Sequence, residues 1–352
     1  MARALQLAQR GLYSTQPNPR VGCVIVGDSG VIGEGFHECA GKPHAEVIAL
    51  RAASEHARGA TAYVTLEPCS HHGRTPPCAD ALLAAGIRRV VVAMQDPNPL
   101  VAGQGIARLR AAGITVECGL MQAQAEILNR GFISRMTRGR PFVTLKLAAS
   151  LDGRTAMASG ESQWISSEAA RADVHRLRAE AGAVLTSSAT VLADDPELTV
   201  RHVDTPRQPD RIVLDPRGRV SVGAKVWNEG ARRILLTARA QSAVPAGVEV
   251  SRLKGEGGYF SLSAAFAELG RLQVNEVLVE CGPTLAGLLL HAETVDELVL
   301  YLAPCLLGDA ARPLARLPNI ERLSQRVQLA WRDVRAVGPD LRLTASLISA
   351  KS

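Results

Sequence analysis

The chain has 352 residues, of which 47% are hydrophobic, 21% charged and only 3% aromatic, and it carries a formal net charge of +6. That length favours two domains, and the apolar fraction suffices for two cores built mainly from Leu, Val, Ala and Ile. The charge is scattered, with no Lys/Arg-rich run of the kind that binds nucleic acid, and no apolar stretch nears the roughly 18 to 20 residues needed to span a bilayer.

An anionic small molecule therefore suits the charge balance better than nucleic acid or membrane. Seven cysteines without disulfide-like spacing, and no secretory leader, place the chain by expectation in a reducing cytoplasm.

In chain order, residues 1–10 predict a helix with Ala4, Leu5 and Ala8 on one side, ended by Gly11. The segment Thr15-Gln16-Pro17-Asn18-Pro19-Arg20 is a loop, because each proline restricts the residue before it. It feeds a strand over 21–26, a Gly27-Asp28-Ser29-Gly30 turn and a hairpin partner over 31–36. Apolar-periodic helices begin just after His44 and at Cys78. Pro43 and Pro77 stand ahead of them, as proline at the first helical position would. Between these helices runs a strand over 62–66, and further strands follow over 89–94 and 114–117, with a helix over about 105–112 between them. Alternating strands and helices make a layered α/β domain. Asn18 and Asn98 fall in loops at strand ends, where turn formers and pocket residues both occur.

A helix over 123–136 leads to Thr137-Arg138-Gly139-Arg140-Pro141, whose Gly, Pro and bare charge mark the domain boundary. The expected domains are residues 1–138 and 139–352. The second opens with a strand over 142–148 carrying Lys146, one of only five lysines in the chain. A lysine on an otherwise buried strand is either a functional group, such as a proton donor, or a strand-end residue reaching solvent. No Gly-x-Gly-x-x-Gly fingerprint occurs here. A strand over 276–280 does run into a Gly282-Pro283 turn and a helix, which offers free N–H groups to a phosphate.

The chemistry concentrates between His44 and Cys78. Pro43-His44-Ala45-Glu46 is followed by Glu67-Pro68-Cys69-Ser70-His71-His72-Gly73-Arg74-Thr75-Pro76-Pro77-Cys78. One imidazole and two sulfurs select Zn²⁺, and three protein ligands leave a fourth position open, as in catalytic sites. Glu46, two residues past His44, is placed to move protons without ligating, which is the pattern of zinc nucleobase deaminases. The start of the second helix favours the thiolate of Cys78. Two alternatives remain: a closed structural zinc taking Cys39, His71 or His72 as fourth ligand, and a pair of buried cysteines without metal. The eight residues between Cys69 and Cys78 exceed the usual two, but they are polar and turn-rich and can loop out.

With Pro17-Asn18-Pro19-Arg20-Val21-Gly22 ahead of it, this insert resembles the bifunctional deaminase/reductase family of bacterial riboflavin biosynthesis. The likeness continues through Gln95-Asp96-Pro97-Asn98-Pro99, the run from Ala148 to Ala156, Ala193-Asp194-Asp195-Pro196 and Gly282-Pro283-Thr284-Leu285-Ala286-Gly287. Arg20 departs from the pattern where asparagine is expected, with a bearing on the deaminase pocket, and so does Cys281 where a second glycine is expected. The resemblance implies a cytidine-deaminase-like α/β/α layered domain followed by a dihydrofolate-reductase-like α/β domain. It implies Zn²⁺ on His44, Cys69 and Cys78 with Glu46 catalytic, and NADPH on Ala148, Trp164, Thr190, Asp194, Gly282, Pro283, Thr284, Leu285, Ala286, Gly287 and Leu288. Substrate contacts are implied at Ser162, Arg178, Leu198, Arg201 and Glu280, and either arginine suits a phosphate monoester.

The implied chemistry is hydrolytic deamination of a ribosylaminopyrimidine 5′-phosphate, then reduction of its ribose to a ribityl chain. The chain would be a hydrolase and an oxidoreductase acting on a small pyrimidine ribotide, with room for a homo-oligomer. Lys146, Asp194 and Glu280 are candidate proton donors for the reduction. The rivals are a single-activity zinc nucleobase or nucleotide deaminase with an accessory C-terminal domain, and a zinc-stabilised nucleic-acid-binding protein.

Overall fold

The computed structural model describes residues 1–70, 76–240, 243–255, 257–318 and 320–348, so His71 and His72 lie outside the described residues. The chain divides into two compact units, Met1–Gly139 and Arg140–Ser352.

The first unit runs α1 (Ala2–Gln9), β1 (Gly22–Gly27), β2 (Gly30–Phe36), α2 (Ala45–Ala53), β3 (Thr61–Val64), α3 (Cys78–Ala84), β4 (Arg89–Val92), α4 (Gln104–Ala111), β5 (Thr115–Cys118), α5 (Gln122–Leu128) and α6 (Arg130–Arg138). Its sheet has the order β2-β1-β3-β4-β5, antiparallel on both sides of β1 and parallel from β3 to β5. Small residues let helices lie directly on this sheet. A Cβ added to Gly22 would come 2.0 Å from the carbonyl of Ala4 in α1, and one on Gly33 2.2 Å from that of Ala49 in α2. Ala45, Ala49 and Ala53 of α2 are fully buried against Cys23, Ile25, Ala62 and Val64.

Two expectations change. His44 is the N-cap of α2 and Pro77 that of α3, so Pro43 lies two positions and Pro77 one position before the first helical residue, and neither occupies it. The helix expected over 123–136 is two, α5 and α6, broken at Asn129. That side chain accepts the Arg20 N–H at 2.8 Å and donates to the Arg20 carbonyl at 3.0 Å, so a contact distant in sequence interrupts the helix.

The second unit contains β6 (Phe142–Ser150), β7 (Arg154–Ala156), α7 (Glu168–Ala181), β8 (Ala183–Ser187), α8 (Ser188–Asp194), β9 (Asp210–Leu214), β10 (Arg233–Thr237), β11 (Val248–Arg252), α9 (Leu262–Arg271), β12 (Glu276–Glu280), α10 (Pro283–His291), β13 (Glu297–Ala303), β14 (Arg312–Pro313), β15 (Gln328–Val337) and β16 (Asp340–Ile348). Nine of its strands form one sheet, β11-β10-β9-β8-β12-β6-β13-β16-β15. It is parallel from β11 to β13 and ends in the antiparallel β13, β16 and β15. The inner parallel strands are buried on both faces and read as apolar runs, such as Val277-Leu278-Val279, while the edge strand β11 is partly exposed. Ligands of such sheets bind beyond the carboxyl ends of the strands, and Glu280, Ser187 and Asp215 all stand there.

Candidate functional site

His44 Nδ1 lies 3.2 Å from Cys78 Sγ and 3.7 Å from Cys69 Sγ, and the three donor atoms fall within 4.8 Å of one another. Tetrahedral zinc with ordinary Zn–S and Zn–N distances separates such atoms by about 3.6 Å, so the donor set fits that ion in kind and in spacing. Cys39 is not part of this cluster.

The backbone N–H of Cys78, at the start of α3, donates to Cys69 Sγ at 3.3 Å. The helix start therefore serves Cys69, whereas the sequence suggests that it serves Cys78. Hydrogen bonding from Cys78 pulls the Cys69 thiol down to about 4, against the opposing effect of burial, while Cys78 is pushed up by that same pairing. The Cys69 thiolate in turn raises the pKa of His44. Glu46, in the first turn of α2, is 3% exposed, and burial raises its carboxyl to about 7. A group near neutrality beside three metal donors is suited to taking up and releasing a proton.

The surrounding elements fix these groups. Glu67 is buried and accepts the N–H groups of Asp96 (3.0 Å), Gly103 (2.9 Å) and Ile106 (3.1 Å), which ties the segment carrying Cys69 to α4. A Cβ at Gly105 would come 1.9 Å from the Pro68 carbonyl, so α4 lies against that segment. A Cβ at Gly35 would come 2.5 Å from the Ala45 carbonyl, which sets the start of α2 and hence His44 on β2.

His37 was not singled out by the sequence. Its ring is 5.4 Å from that of His44, its Nδ1 is 3.2 Å from the Pro43 carbonyl, and its Nε2 is 3.0 Å from Asn18 Nδ2. With Nδ1–H donating to the carbonyl, Nε2 accepts from the Asn18 amide. Asn98 accepts from Leu100 N–H at 3.1 Å and is a turn former. Arg20, expected to bear on the deaminase pocket, hydrogen-bonds the carbonyls of Leu128 and Leu12 in the packing of α5.

In the second unit, Glu280 at the end of β12 receives Arg178 Nε at 2.6 Å and Nη2 at 2.9 Å, and Arg178 Nη1 donates to the Thr199 carbonyl at 2.8 Å. Burial would raise the Glu280 carboxyl, but Arg178 and Lys146 overcome it and hold it at about 2. The neighbouring Arg178 and Lys146 thus favour the ionised, hydrogen-bond-accepting form of Glu280. Arg178, expected to contact substrate, directs three of its five N–H donors to Glu280 and the Thr199 carbonyl. Arg201 remains half exposed, with Nη1 on Glu197 and Thr199.

Lys146, on the neighbouring β6, has its pKa lowered by burial; its ammonium stands 5.7 Å over the Tyr301 ring. Asp194 ends α8 with its pKa raised by burial. Thr190 N–H bonds the Ser187 hydroxyl that caps α8. Trp164 is 68% exposed under the guanidinium of Arg171, and Ser162 is part-buried, its carbonyl accepting from Ile165. Ala148 packs beside Tyr301. The Leu198 side chain is in the core with Val184, Val191 and Val213, so only its backbone can meet a substrate.

The α10 start, with Gly282 as N-cap and Pro283 after it, has no side-chain cap, and nothing lies within 4 Å of a Cβ added to Gly282. Thr284 and Leu288 are exposed and Leu285 part-buried, whereas Ala286 and Gly287 face the core; a Cβ on Gly287 would strike the Arg316 carbonyl. An open, uncapped helix start fits the diphosphate of a dinucleotide.

Comparison with known proteins decides the family. The cytidine and deoxycytidylate deaminase zinc-binding region matches residues 1–94, and the RibD C-terminal domain matches residues 141–343. The riboflavin biosynthesis protein RibD of Escherichia coli is 55% identical over 97% of this chain and 97% of its own. The chain belongs to the RibD family. Acinetobacter baumannii RibD is 46% identical with a TM-score of 0.92, covering 99% of this chain and 98% of its own. A Thermotoga maritima structure titled diaminohydroxyphosphoribosylaminopyrimidine deaminase/5-amino-6-(5-phosphoribosylamino)uracil reductase is 34% identical with a TM-score of 0.89, covering 99% and 97%.

As a RibD, the protein is a deaminase and a reductase of riboflavin biosynthesis, with a cytidine-deaminase-like and a dihydrofolate-reductase-like domain. Its cofactors are Zn²⁺ and NADPH. Among the described residues, no helix is long and apolar enough to cross a membrane.

Proposed function

We propose that the two activities are divided between residues 1–138 and 139–352, and that they act in turn on one pyrimidine ribotide. The first unit hydrolyses the 2-amino group of 2,5-diamino-6-(5-phosphoribosylamino)pyrimidin-4(3H)-one. The second reduces the ribosyl group of 5-amino-6-(5-phosphoribosylamino)uracil to ribityl. The enzyme is proposed to work in the cytoplasm without nucleic-acid partners, and a homo-oligomer is compatible with it.

His44, Cys69 and Cys78 would hold zinc, which when bound would supply the Lewis acid that makes water nucleophilic near neutral pH. Glu46 would take one proton from the attacking water on a carboxylate oxygen and give it to the ring nitrogen, then take the proton of the new hydroxyl on the ring carbon and give it to the departing amine, which leaves as ammonia. The buried position of Glu46 keeps bulk water from competing for these protons. In the second unit the hydride would come from NADPH when it is bound. The sugar must open before C1′ can accept it, so a proton has to reach the ring oxygen. Lys146 Nζ is the proposed donor, because burial lowers its pKa and makes it a better acid. Arg201 holds the 5′-phosphate, with Ser162 and the Leu198 backbone beside the substrate. Arg178 keeps Glu280 ionised as an acceptor for substrate hydroxyls.

The observation that carries the deaminase half is the placement of Glu46 beside three donor atoms within 4.8 Å of one another. Cys69→Ser and Cys78→Ser should lose zinc and ammonia release together. Glu46→Gln should keep zinc while turnover falls by about 10² to 10⁴, the range for a general acid–base group. A Glu46→Gln protein that releases ammonia at the normal rate would sink this reading.

A further inference from the structure

Tyr301 of β13 is fully buried, and a tyrosine in a core needs a partner for its hydroxyl. The phenol donates to Asp173 Oδ2 of α7 at 2.7 Å, and the same oxygen accepts Arg342 Nη1 of β16 at 2.9 Å. Arg176 Nη1 lies 3.6 Å from the other oxygen, Asp173 Oδ1. The hydroxyl end of the ring is therefore clamped by two further elements, a helix and a strand.

The ring face is turned to Lys146. Strands β6 and β13 run parallel, with Val299 opposite Lys146 and Tyr301 opposite Ala148, and side chains two apart share one face of a sheet. The small Ala148 leaves room for the ring to lie back over its neighbour, and Lys146 Nζ stands 5.7 Å from the ring centroid. Among the described residues, Lys146 forms no ion pair. Glu280 is opposite it in the β12–β6 register, yet both carboxylate oxygens of Glu280 take Arg178. Burial disfavours the Lys146 ammonium, the charge of Glu280 favours it, and that of Arg178 disfavours it again. A cation is attracted to an aromatic face, more strongly once water is excluded. The face differs from a carboxylate in one respect that matters to an acid: it stabilises the ammonium but cannot take its proton.

We propose that Tyr301 is a positioning residue of the reductase, clamped by Asp173 and Arg342 so that its ring face holds the Lys146 ammonium with N–H bonds free for the ribose ring oxygen. The proposal rests on Lys146 as the proton donor. The proton passes from Nζ to the ring oxygen as the C1′–O bond breaks, C1′ accepts the hydride, and the amine regains a proton from solvent. Only the protonated lysine can begin that sequence, so the rate falls as pH rises through its pKa. A weaker ring face lowers that pKa and brings the fall to lower pH.

The test is the pH dependence of kcat for the full-length protein on the deaminated ribosylaminouracil phosphate with saturating NADPH. The variants are Tyr301→Phe and a series with mono-, di- and trifluorinated phenylalanine at that position, in which each fluorine drains the ring face while its size barely changes. The alkaline limb should move down stepwise, by about one pH unit across the series, the order of a desolvated cation–π contact. Tyr301→Leu, which removes the face, should lower kcat about tenfold with little change in KM. Tyr301→Phe, which keeps the face and loses the clamp, should fall between Tyr301→Leu and the wild type. A limb that stays in place along the fluorinated series while Lys146→Met abolishes reduction overturns the role of Tyr301 alone. Reduction by Lys146→Met at the wild-type rate overturns the donor assignment, and the positioning role with it.

Discussion

Arg178→Ala would leave Glu280 a buried carboxylate without either of its guanidinium donors. Removing one member of a buried pair costs about 3 to 5 kcal/mol, so this variant should lower the urea midpoint markedly. Arg201 is half exposed, and its loss should change stability by no more than about 0.5 kcal/mol. Arg201→Ala should instead weaken the phosphorylated substrate by about 1.5 to 3 kcal/mol, as for a charged hydrogen bond. Equal affinity of the wild type for phosphorylated and dephosphorylated substrate would remove that role. None of this division between the arginines is legible in sequence. The partners Arg178 and Glu280 are 102 residues apart, and a guanidinium's fitness for phosphate does not say whether an acid already occupies it.

His175 adds a pH dependence. Burial, then the charges of Arg178 and Arg201, lower it to about 4, and its Nδ1 accepts the Arg201 N–H at 3.2 Å. Between the ordinary histidine value near 6.5 and about 4, the unfolded chain binds a proton that the folded chain refuses. The contribution is therefore full above about pH 6.5 and is lost as pH falls toward 4. Asp210, raised by burial to about 6, acts oppositely in part of this window. The measurement is accordingly a difference: urea midpoints of His175→Gln should fall less between pH 6.5 and 4 than those of the wild type. Parallel slopes would contradict the assignment.

At the scale of elements, most strands and helices of the first unit are legible because their apolar patterns are local. The hairpin at 21–36, the parallel strands of the first sheet and two of the second, over 142–148 and 276–280, follow from apolar runs between Gly and Pro, while the other strands of the second sheet are not read from the sequence. The break between α5 and α6 is not legible, since Asn129 reads as an ordinary helical residue until Arg20, 109 positions away, occupies its amide. The zinc motif is legible by type and spacing, but the support for it is not. Glu67 holds three N–H groups drawn from a different loop and helix. Glu67→Ala leaves those three donors without their acceptor, and each buried unmet donor costs about 1 to 3 kcal/mol. It should lower both thermal midpoint and zinc per chain, although Glu67 ligates nothing. Gly105→Ala forces α4 from the Pro68 carbonyl and should cost about 1 to 3 kcal/mol by overpacking, again with zinc loss. Full zinc content in both variants would show that the Cys69 segment does not depend on α4.

For the molecule as a whole, each unit has its own sheet and core, so the proposed chemistries should be separable. The fragment Arg140–Ser352 should oxidise NADPH when given the deaminated ribosylaminouracil phosphate and ignore the diaminopyrimidinone. A folded fragment that binds NADPH yet cannot reduce the deaminated compound would mean that the reductase borrows residues from the zinc unit.

The most direct measurement is the rate of NADPH oxidation by full-length Glu46→Gln, followed at the nicotinamide absorbance band with each ribotide in turn. The deaminated ribosylaminouracil phosphate should be reduced at the wild-type rate, and the diaminopyrimidinone should give a rate lower by about 10² or more. Wild-type oxidation of NADPH on the diaminopyrimidinone would contradict a deamination that runs through Glu46 and feeds a separate reductase.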